Sequence, residues 1–397
     1  MLLPTDDPIV LASIARTPMG GFQGELETKT ASELGAKAIH AALQRAGVDE
    51  EDVAEVLMGC VLPAGQGQAP ARQAAIKAGL PTSVPCTTVN KMCGSGMKTI
   101  MMAASELAAG TGKVIVAGGM ESMTNAPYLL PKARGGMRLG HGQVIDSMFL
   151  DGLEDAYEGG LMGNFAELCA GKYEFSREVQ DEYAIESLNR ALAAAQSQFA
   201  DEIVPVCLEL RSGTVTVDKD EQPFKAKPER IRQLKPAFKR EGGTVTAANA
   251  SSISDGAAAV VMMRASEAER RGLTPLARIT AMTSHAQDPA WFTTAPVGAM
   301  RKLMDETGLE KSHVDLFEIN EAFAVVPMAA MEDLQLPHEK VNVNGGACAL
   351  GHPIGASGTR IVVTLVNALR QRSLQTGIAA ICIGGGEATA LSVELMH

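Results

Sequence analysis

No stretch of the 397 residues reaches the roughly 18 consecutive apolar positions that a spanning helix needs. Residues 1–20 carry early prolines and acids where an export leader would place basic residues and then an apolar run, so neither a membrane span nor a secretory signal is expected. Cysteine is scarce and odd in number, seven in all with no CxxC pair. That spread suits free thiols in a reducing compartment better than a disulfide framework, and a cytoplasmic location is expected. No His, Cys, Asp or Glu cluster has metal-ligand spacing, so no metal is expected. Positive charge is in deficit: 35 Lys and Arg against 46 Asp and Glu give a net charge of −11, which repels polyanions and argues against nucleic-acid binding.

What is present is an ordinary folded composition. Hydrophobic residues make up 46% and charged residues 20%, and the 40 glycines follow no period, which excludes disorder and collagen-like structure. At roughly 100–200 residues per domain the chain is too long for one core, and two or three units are expected.

The most informative feature is an internal echo. Leu34-Gly35-Ala36 opens an amphipathic stretch that ends at Gly47 and is followed by the apolar run up to Gly59; Val297-Gly298-Ala299 leads in the same way through Gly308 to the run ending at Asn320. Gly47 to Gly59 and Gly308 to Asn320 are both twelve positions. A second pair follows in the same order: Cys93-Gly94-Ser95-Gly96 before a helical run and the β-type run into Gly118-Gly119, matched by Gly355-Ala356-Ser357-Gly358 and the run into Gly384-Gly385-Gly386. Short buried-type β-runs alternate with 3.6-period segments, which predicts two related α/β halves with layered sheets covered by helices. Residues 1–121, completed by about 252–273, form one half and residues 274–397 the other. Residues 122–251 read as an insertion, where glycine pairs, prolines and clustered charge replace that alternation. Within it, Ser176 before Arg177-Glu178 is an N-cap signal for a helix over about 178–200. Residues 225–240 carry seven basic side chains against the single acid Glu229; this is either a solvated face or a local positive field for a phosphorylated ligand.

Cys93 lies where β-type residues give way to glycine and then to a helical pattern, so its thiol sits at a helix start. Partial positive charge there favours thiolate, and neighbouring glycines let a ligand approach the backbone. Read alone, Cys93 also fits a buried structural thiol. His352, in the matching place of the second half, would meet Cys93 through the pseudo-symmetry, and a Cys–His pair is a common way to activate a thiol. Cys382 ends a buried run and precedes three glycines whose N–H groups can hold an oxyanion; it could shuttle a proton, while its distance in sequence from Cys93 makes a redox motif a poor reading. Asn320, after a strand, fits a helix cap as well as a site residue.

The motifs VNKMCGSGMKT (89–99), NEAFA (320–324), GHPIGASG (351–358) and CIGGG (382–386), in this order and with this duplication, resemble the thiolase family over essentially the whole chain. AGGMESM (117–123) and GTVTAANAS (243–251) add to the likeness. The resemblance implies a duplicated αβαβα layered α/β core with an inserted loop domain for coenzyme A binding and oligomerisation. It implies acetyl transfer to Cys93, with His352 taking the thiol proton, and Cys382 removing an α-proton from a second acetyl-CoA. His352 and a water held by Asn320 would stabilise the enolate, and the N–H groups of Cys93 and Gly384 the tetrahedral adduct. Ser251 would meet pantetheine, Met162, Ala322 and Phe323 the acyl end, and residues 225–240 the nucleotide phosphates.

The implied reaction is reversible condensation of two acetyl-CoA to acetoacetyl-CoA and CoA, within fatty-acid metabolism. No cofactor is expected, since coenzyme A is substrate and product. One departure bears on acyl preference: many short-chain members have a His before the Met of the loop segment, where GGLMG (159–163) places Leu161. Thiolysis of longer 3-ketoacyl-CoA is therefore the alternative. Decarboxylating ketosynthases and hydroxymethylglutaryl-CoA synthases share the fold but differ in the second-half motifs, and a non-catalytic thioester carrier would have lost a reactive residue that is retained here. Family members are homodimers or homotetramers, and residues 131–142 resemble the segment that joins dimers.

Overall fold

The short β-branched and small-residue runs form strands that are mostly buried on both faces, as their near-continuous hydrophobicity requires. The computed structural model describes residues 1–211 and 213–396. Nine of the described strands make the main path of the large sheet: β1 Ile9–Arg16, β2 Glu55–Gly59, β3 Cys86–Val89, β4 Val114–Ser122, β5 Ser254–Arg264, β6 Ala277–Ala286, β7 Leu316–Ile319, β8 Thr376–Ile383 and β9 Glu387–Leu395. They follow one path, β7-β8-β9-β6-β1-β5-β4-β2-β3, with the two-residue strand Gly20–Gly21 beside β5. The principal helices are α1 Ala31–Ala46, α2 Pro70–Lys77, α3 Ser95–Ala109, α4 Met162–Lys172, α5 Arg177–Ala194, α6 Ala295–Thr307, α7 Val325–Leu334 and α8 Ile354–Arg372.

The echo in the sequence is an echo in the hydrogen bonding. In the first half β2 pairs in parallel with β3 and β4, β4 antiparallel with β5, and β5 with β1. In the second, β7 pairs in parallel with β8 and makes a parallel bridge from Phe317 to Val341, β8 pairs antiparallel with β9, and β9 with β6. The halves join where β1 meets β6 at Val10↔Arg278 and Leu11↔Ala277. Helices α1 and α6 both stop at a left-handed glycine, Gly47 at φ 65 and Gly308 at φ 66. The halves differ at one connection: three glycines join β8 to β9, whereas residues 123–253 leave the sheet between β4 and β5.

Three apolar clusters make the layers. Leu34, Ile39 and Leu43 of α1 cover one face of the first half, and α6 and α7 pack on Phe317, Ile319 and Ile378 of the second. Between the parts of the sheet that belong to the two halves lie α3 and α8, whose Ile100, Leu107, Ile361 and Leu365 pack with strands of both halves. The order is helix, sheet, helix, sheet, helix. The two central helices cross at glycines: a Cβ on Gly358 would stand 2.3 Å from the Met97 nitrogen, and one on Gly96 2.8 Å from the Thr359 nitrogen. Only bare backbone permits that approach, and it brings both helix N-termini to one place.

Helix α5 starts where expected, with Ser176 Oγ accepting from the Val179 N–H at 3.4 Å, but it ends at Ala194 rather than near residue 200. The chain turns there so that Phe199, 2% exposed, covers the Arg16 guanidinium at 4.7 Å. Arg16 is itself fully buried on β1 and paired with Glu202 at 2.5 Å and Asp220 at 2.7 Å, so the inserted segment is tied to the core by a buried ionic cluster.

Candidate active site

The turn between β3 and α3 presents Cys93. Asn90 Oδ1 accepts from the Met92 N–H at 3.0 Å, Ser95 Oγ accepts from the Lys91 N–H at 2.8 Å, and the Ser95 hydroxyl donates to the Met92 carbonyl at 2.6 Å. These bonds hold Met92 at φ +47, a left-handed conformation that a side chain rarely adopts. The turn lies against the second half, since a Cβ on Gly94 would meet Ile383 Cδ1 at 2.4 Å. Lys91 also forms an ion pair with Glu387, at the start of β9.

His352 stands just before α8 and is 6% exposed. Its Nδ1 contacts Ser357 Oγ at 2.5 Å, and the Ser357 hydroxyl donates to the Pro353 carbonyl at 3.0 Å. With its single hydrogen committed to that carbonyl, the hydroxyl accepts from Nδ1–H, which leaves Nε2 as the basic nitrogen. Nε2 is buried and has no hydrogen-bond partner among the described residues. Burial, assisted by the Arg360 charge, pushes the imidazole pKa down to about 3.

Asn320 follows β7, with its N–H bonded to the Ala380 carbonyl at 2.9 Å. It is fully buried; its Oδ1 accepts from Arg360 Nη2 at 3.4 Å and its Nδ2 has no hydrogen-bond partner among the described residues. Cys382, within β8, is also fully buried, and burial followed by the nearby Cys93 sulfur raises its pKa. Beyond it, Gly385 at φ 93 and Gly386 at φ 85 turn the chain tightly; a Cβ on Gly386 would meet the Gln287 carbonyl at 2.4 Å.

Seven of the nine predicted site residues line one cavity of about 220 Å³: Cys93, Met162, Ser251, Ala322, Phe323, His352 and Gly384. Asn320 and Cys382 are absent from its wall and lie enclosed in the protein. Sequence reasoning missed most of the apolar lining, including Phe149, Leu153, Phe238 and Phe292; Leu161, noted as a departure, is on the wall. Phe238 lies flat against the backbone beside Met162, where a Cβ on Gly163 would reach its ring at 2.3 Å. The inserted segment is joined to the NEAFA stretch by the Ser251 N–H to Ala322 carbonyl bond at 2.9 Å.

Two buried carboxylates brace the site, and neither was assigned from sequence. Glu121 accepts the N–H groups of Val61, Leu62 and Gly355 at 2.9, 3.2 and 3.0 Å; burial outweighs them and pushes its pKa up to about 7. Glu321 accepts from Tyr183 and Ser187 of α5 at 2.9 and 2.8 Å, from Asn342 at 2.8 Å and from the Cys348 N–H at 3.0 Å. The only prior signal was their place inside motifs.

The expected thiolate at the helix start is corrected by burial. Desolvation pushes Cys93 up to about 11, outweighing the Gly384 and Cys93 N–H groups that favour the anion. The resting pair is a neutral thiol and a neutral imidazole, so charge appears only as reaction proceeds. A thiol, a free basic nitrogen and backbone donors around one apolar cavity can perform acyl transfer. A second cavity of about 400 Å³ is lined by Lys225, Lys227, Arg230, Ala248 and Ser252, the last adjoining Ser251 of the first. Among the described residues no His, Cys, Asp and Glu group is placed to hold a metal ion, and no helix is long and apolar enough to cross a membrane.

Comparison with known proteins agrees with the motifs. Residues 9–266 match the family model for the thiolase N-terminal domain and residues 273–395 that for the thiolase C-terminal domain. Acetyl-CoA acetyltransferase 2 of Arabidopsis thaliana is 52% identical over 391 residues, covering 98% of this chain and 97% of that protein. A mitochondrial acetyl-CoA acetyltransferase of Bos taurus is 47% identical over 393 residues, 98% and 92% of the two chains. Among solved structures, a thiolase of Ascaris suum in complex with coenzyme A superposes with a TM-score of 0.93 at 41% identity, covering 98% of this chain and all of that one. The acetyl-CoA acetyltransferase of Bacillus anthracis gives 0.95 at 40% identity, covering 98% and 99%.

Proposed function

Because the chain belongs to the thiolase family, we propose that it is an acetyl-CoA C-acetyltransferase, condensing two acetyl-CoA to acetoacetyl-CoA and CoA through an acetyl-cysteine. The Cys93 thiol gives its proton to Nε2 of His352 as sulfur attacks the thioester carbon. The resulting oxyanion is held by the N–H groups of Cys93 and Gly384, donors of a kind typically worth about 3–4 kcal/mol each. Collapse expels the CoA sulfur, which takes the Cys382 proton. Cys382, now a thiolate, removes an α-proton from a second acetyl-CoA; the enolate oxygen is held by Nε2–H of His352 and a water on Asn320. The enolate carbon attacks the acetyl carbon, the C–S bond breaks, and Cys93 recovers its proton from His352. Every proton is returned, and coenzyme A is substrate and product with no further cofactor proposed.

The observation that carries this reading is the buried Nε2 of His352, without a hydrogen-bond partner among the described residues, beside a cavity shared with Cys93 and Gly384. The test is labelling with radioactive acetyl-CoA: Cys93→Ser should trap no acetyl group, and Cys382→Ser should still trap one. Equal labelling of both variants would contradict the assigned roles.

Thiolysis of longer 3-ketoacyl-CoA is the second reading, favoured by Leu161 and the apolar cavity wall. One methylene in such a pocket is worth about 1–3 kcal/mol, so kcat/KM across chain lengths separates the two. Lys227 and Arg230 of the second cavity would meet the CoA phosphates; replacing both should raise KM and leave kcat intact. We further read the protein as a homodimer or homotetramer of the cytoplasm serving fatty-acid metabolism. The exposed Tyr128, Leu139 and Val144 of an arm beyond β4 support self-association, and seven free thiols suit a reducing compartment.

A further inference from the structure

Helix α8 contacts two polar side chains whose other ends are left free. Through Ser357 it fixes Nδ1 of His352, and three residues on, one turn along the same face, Arg360 reaches Oδ1 of Asn320. The outcome is the same at both places: His352 Nε2 and Asn320 Nδ2 are buried without hydrogen-bond partners among the described residues. An unpaired buried amide costs stability, and it persists only if something prevents it from rotating to satisfy itself.

Arg360 can do this because it is held at both ends. It is 1% exposed, and Nη1 donates to Glu318 Oε1 at 2.9 Å while Nη2 points to Asn320. Glu318 lies in β7 and Asn320 just beyond its end, where the Asn320 N–H still bonds the Ala380 carbonyl, and a planar guanidinium spans both side chains. A guanidinium has only donors, so it accepts the carboxamide in one orientation, oxygen inward and NH₂ outward.

We propose that Arg360 is a positioning residue, which fixes the Asn320 amide so that its Nδ2–H₂ faces the reacting oxygen during carbon–carbon bond formation. The inference rests on the proposed reading of Asn320 as the holder of the enolate-binding water. The contact of Arg360 with Asn320 serves one half of the reaction: in acetyl transfer to Cys93 the oxyanion is held by backbone donors that Arg360 does not touch. Its charge also helps keep the resting His352 neutral.

The test separates the two halves. Arg360→Lys keeps the charge but cannot reach Glu318 and Asn320 together. Acetyl-enzyme formation should stay within about threefold of the parent, whereas deuterium exchange at the α-carbon of acetyl-CoA in D₂O should fall by up to about 100-fold, the order expected when a positioned group is displaced by about 1 Å. Asn320→Ala should lose exchange as well, and the double variant should be no worse than Asn320→Ala alone. Equal losses of acylation and exchange in Arg360→Lys, or multiplying losses in the double variant, would overturn the proposal. Intact exchange in Asn320→Ala would overturn the reading of Asn320 and the proposal with it; intact exchange in Arg360→Lys alone would overturn only the proposal. Should Arg360→Lys fail to fold, Glu318→Asp, which keeps the charge and draws the guanidinium back by one methylene, must show the same selective loss; equal losses or none would overturn the proposal.

Discussion

Gly119 on β4 offers a sharp test of how the fold sets the site. A Cβ at this position would stand 2.0 Å from the Gly355 carbonyl oxygen and 2.9 Å from both the Gly355 carbonyl carbon and Ala356 Cα. All three are backbone atoms of α8 near its start, so no side-chain rotation can relieve the clash in Gly119→Ala. Real Cβ atoms do not approach closer than about 3 Å, and the helix start must retreat by about 1 Å. Overpacking of this kind costs about 1–3 kcal/mol of stability. Because Gly355 is three residues from His352, the same displacement moves the His352 imidazole, and for a reacting group a 1 Å misplacement costs about a hundredfold in rate. The assay is urea unfolding together with kcat for acetoacetyl-CoA thiolysis. Gly171→Ala is the control: nothing lies within 4 Å of its Cβ at the end of α4, and Ala there is expected to be neutral or stabilising by up to about 1 kcal/mol. A Gly119→Ala enzyme with parental kcat would refute the claim that backbone contact between β4 and α8 places His352.

Ser357→Ala removes the acceptor that fixes the His352 tautomer, and kcat should fall by up to about 100-fold with the unfolding midpoint nearly unchanged; an unaffected kcat would show that the ring is held otherwise. With the Cys93 thiol pushed up to about 11, the thiolate fraction rises with pH throughout the range below that value, so iodoacetamide alkylation, followed by mass spectrometry, should accelerate about tenfold per unit from pH 7 to 10. A plateau below pH 9 would mean that the N–H donors outweigh burial. Arg16→Met leaves Glu202 and Asp220 buried without their cation, and a loss of about 3–5 kcal/mol is expected in urea titration. A loss under about 1 kcal/mol would show that the cluster does not anchor the inserted segment.

The parts of the fold written in local pattern were readable before any coordinates. The paired helix stops at Gly47 and Gly308 depend on single glycines in a left-handed conformation, and the run lengths between them are visible by inspection. The glycines beside Cys93 were legible as a place of close approach, although not as the helix crossing that Gly96 and Gly358 create. The end of α5 was not legible, because its residues continue to favour helix and only the burial of Phe199 over Arg16 turns the chain.

By itself the sequence determined the duplication, the family and the residue types available for chemistry, since these depend on order and spacing along one chain. The tertiary structure decided that Cys93 rests as a thiol and His352 as a neutral base, that Asn320 and Cys382 are enclosed rather than on the cavity wall, and that Ser357 meets His352 Nδ1, Arg360 meets Asn320 Oδ1 and Glu121 accepts the Gly355 N–H. The physical reason is that desolvation and orientation belong to the surroundings of a side chain. Those surroundings are supplied by partners such as Arg360 and Glu318, or Glu121 and Gly355, that are distant in sequence and meet only when the two halves close on each other.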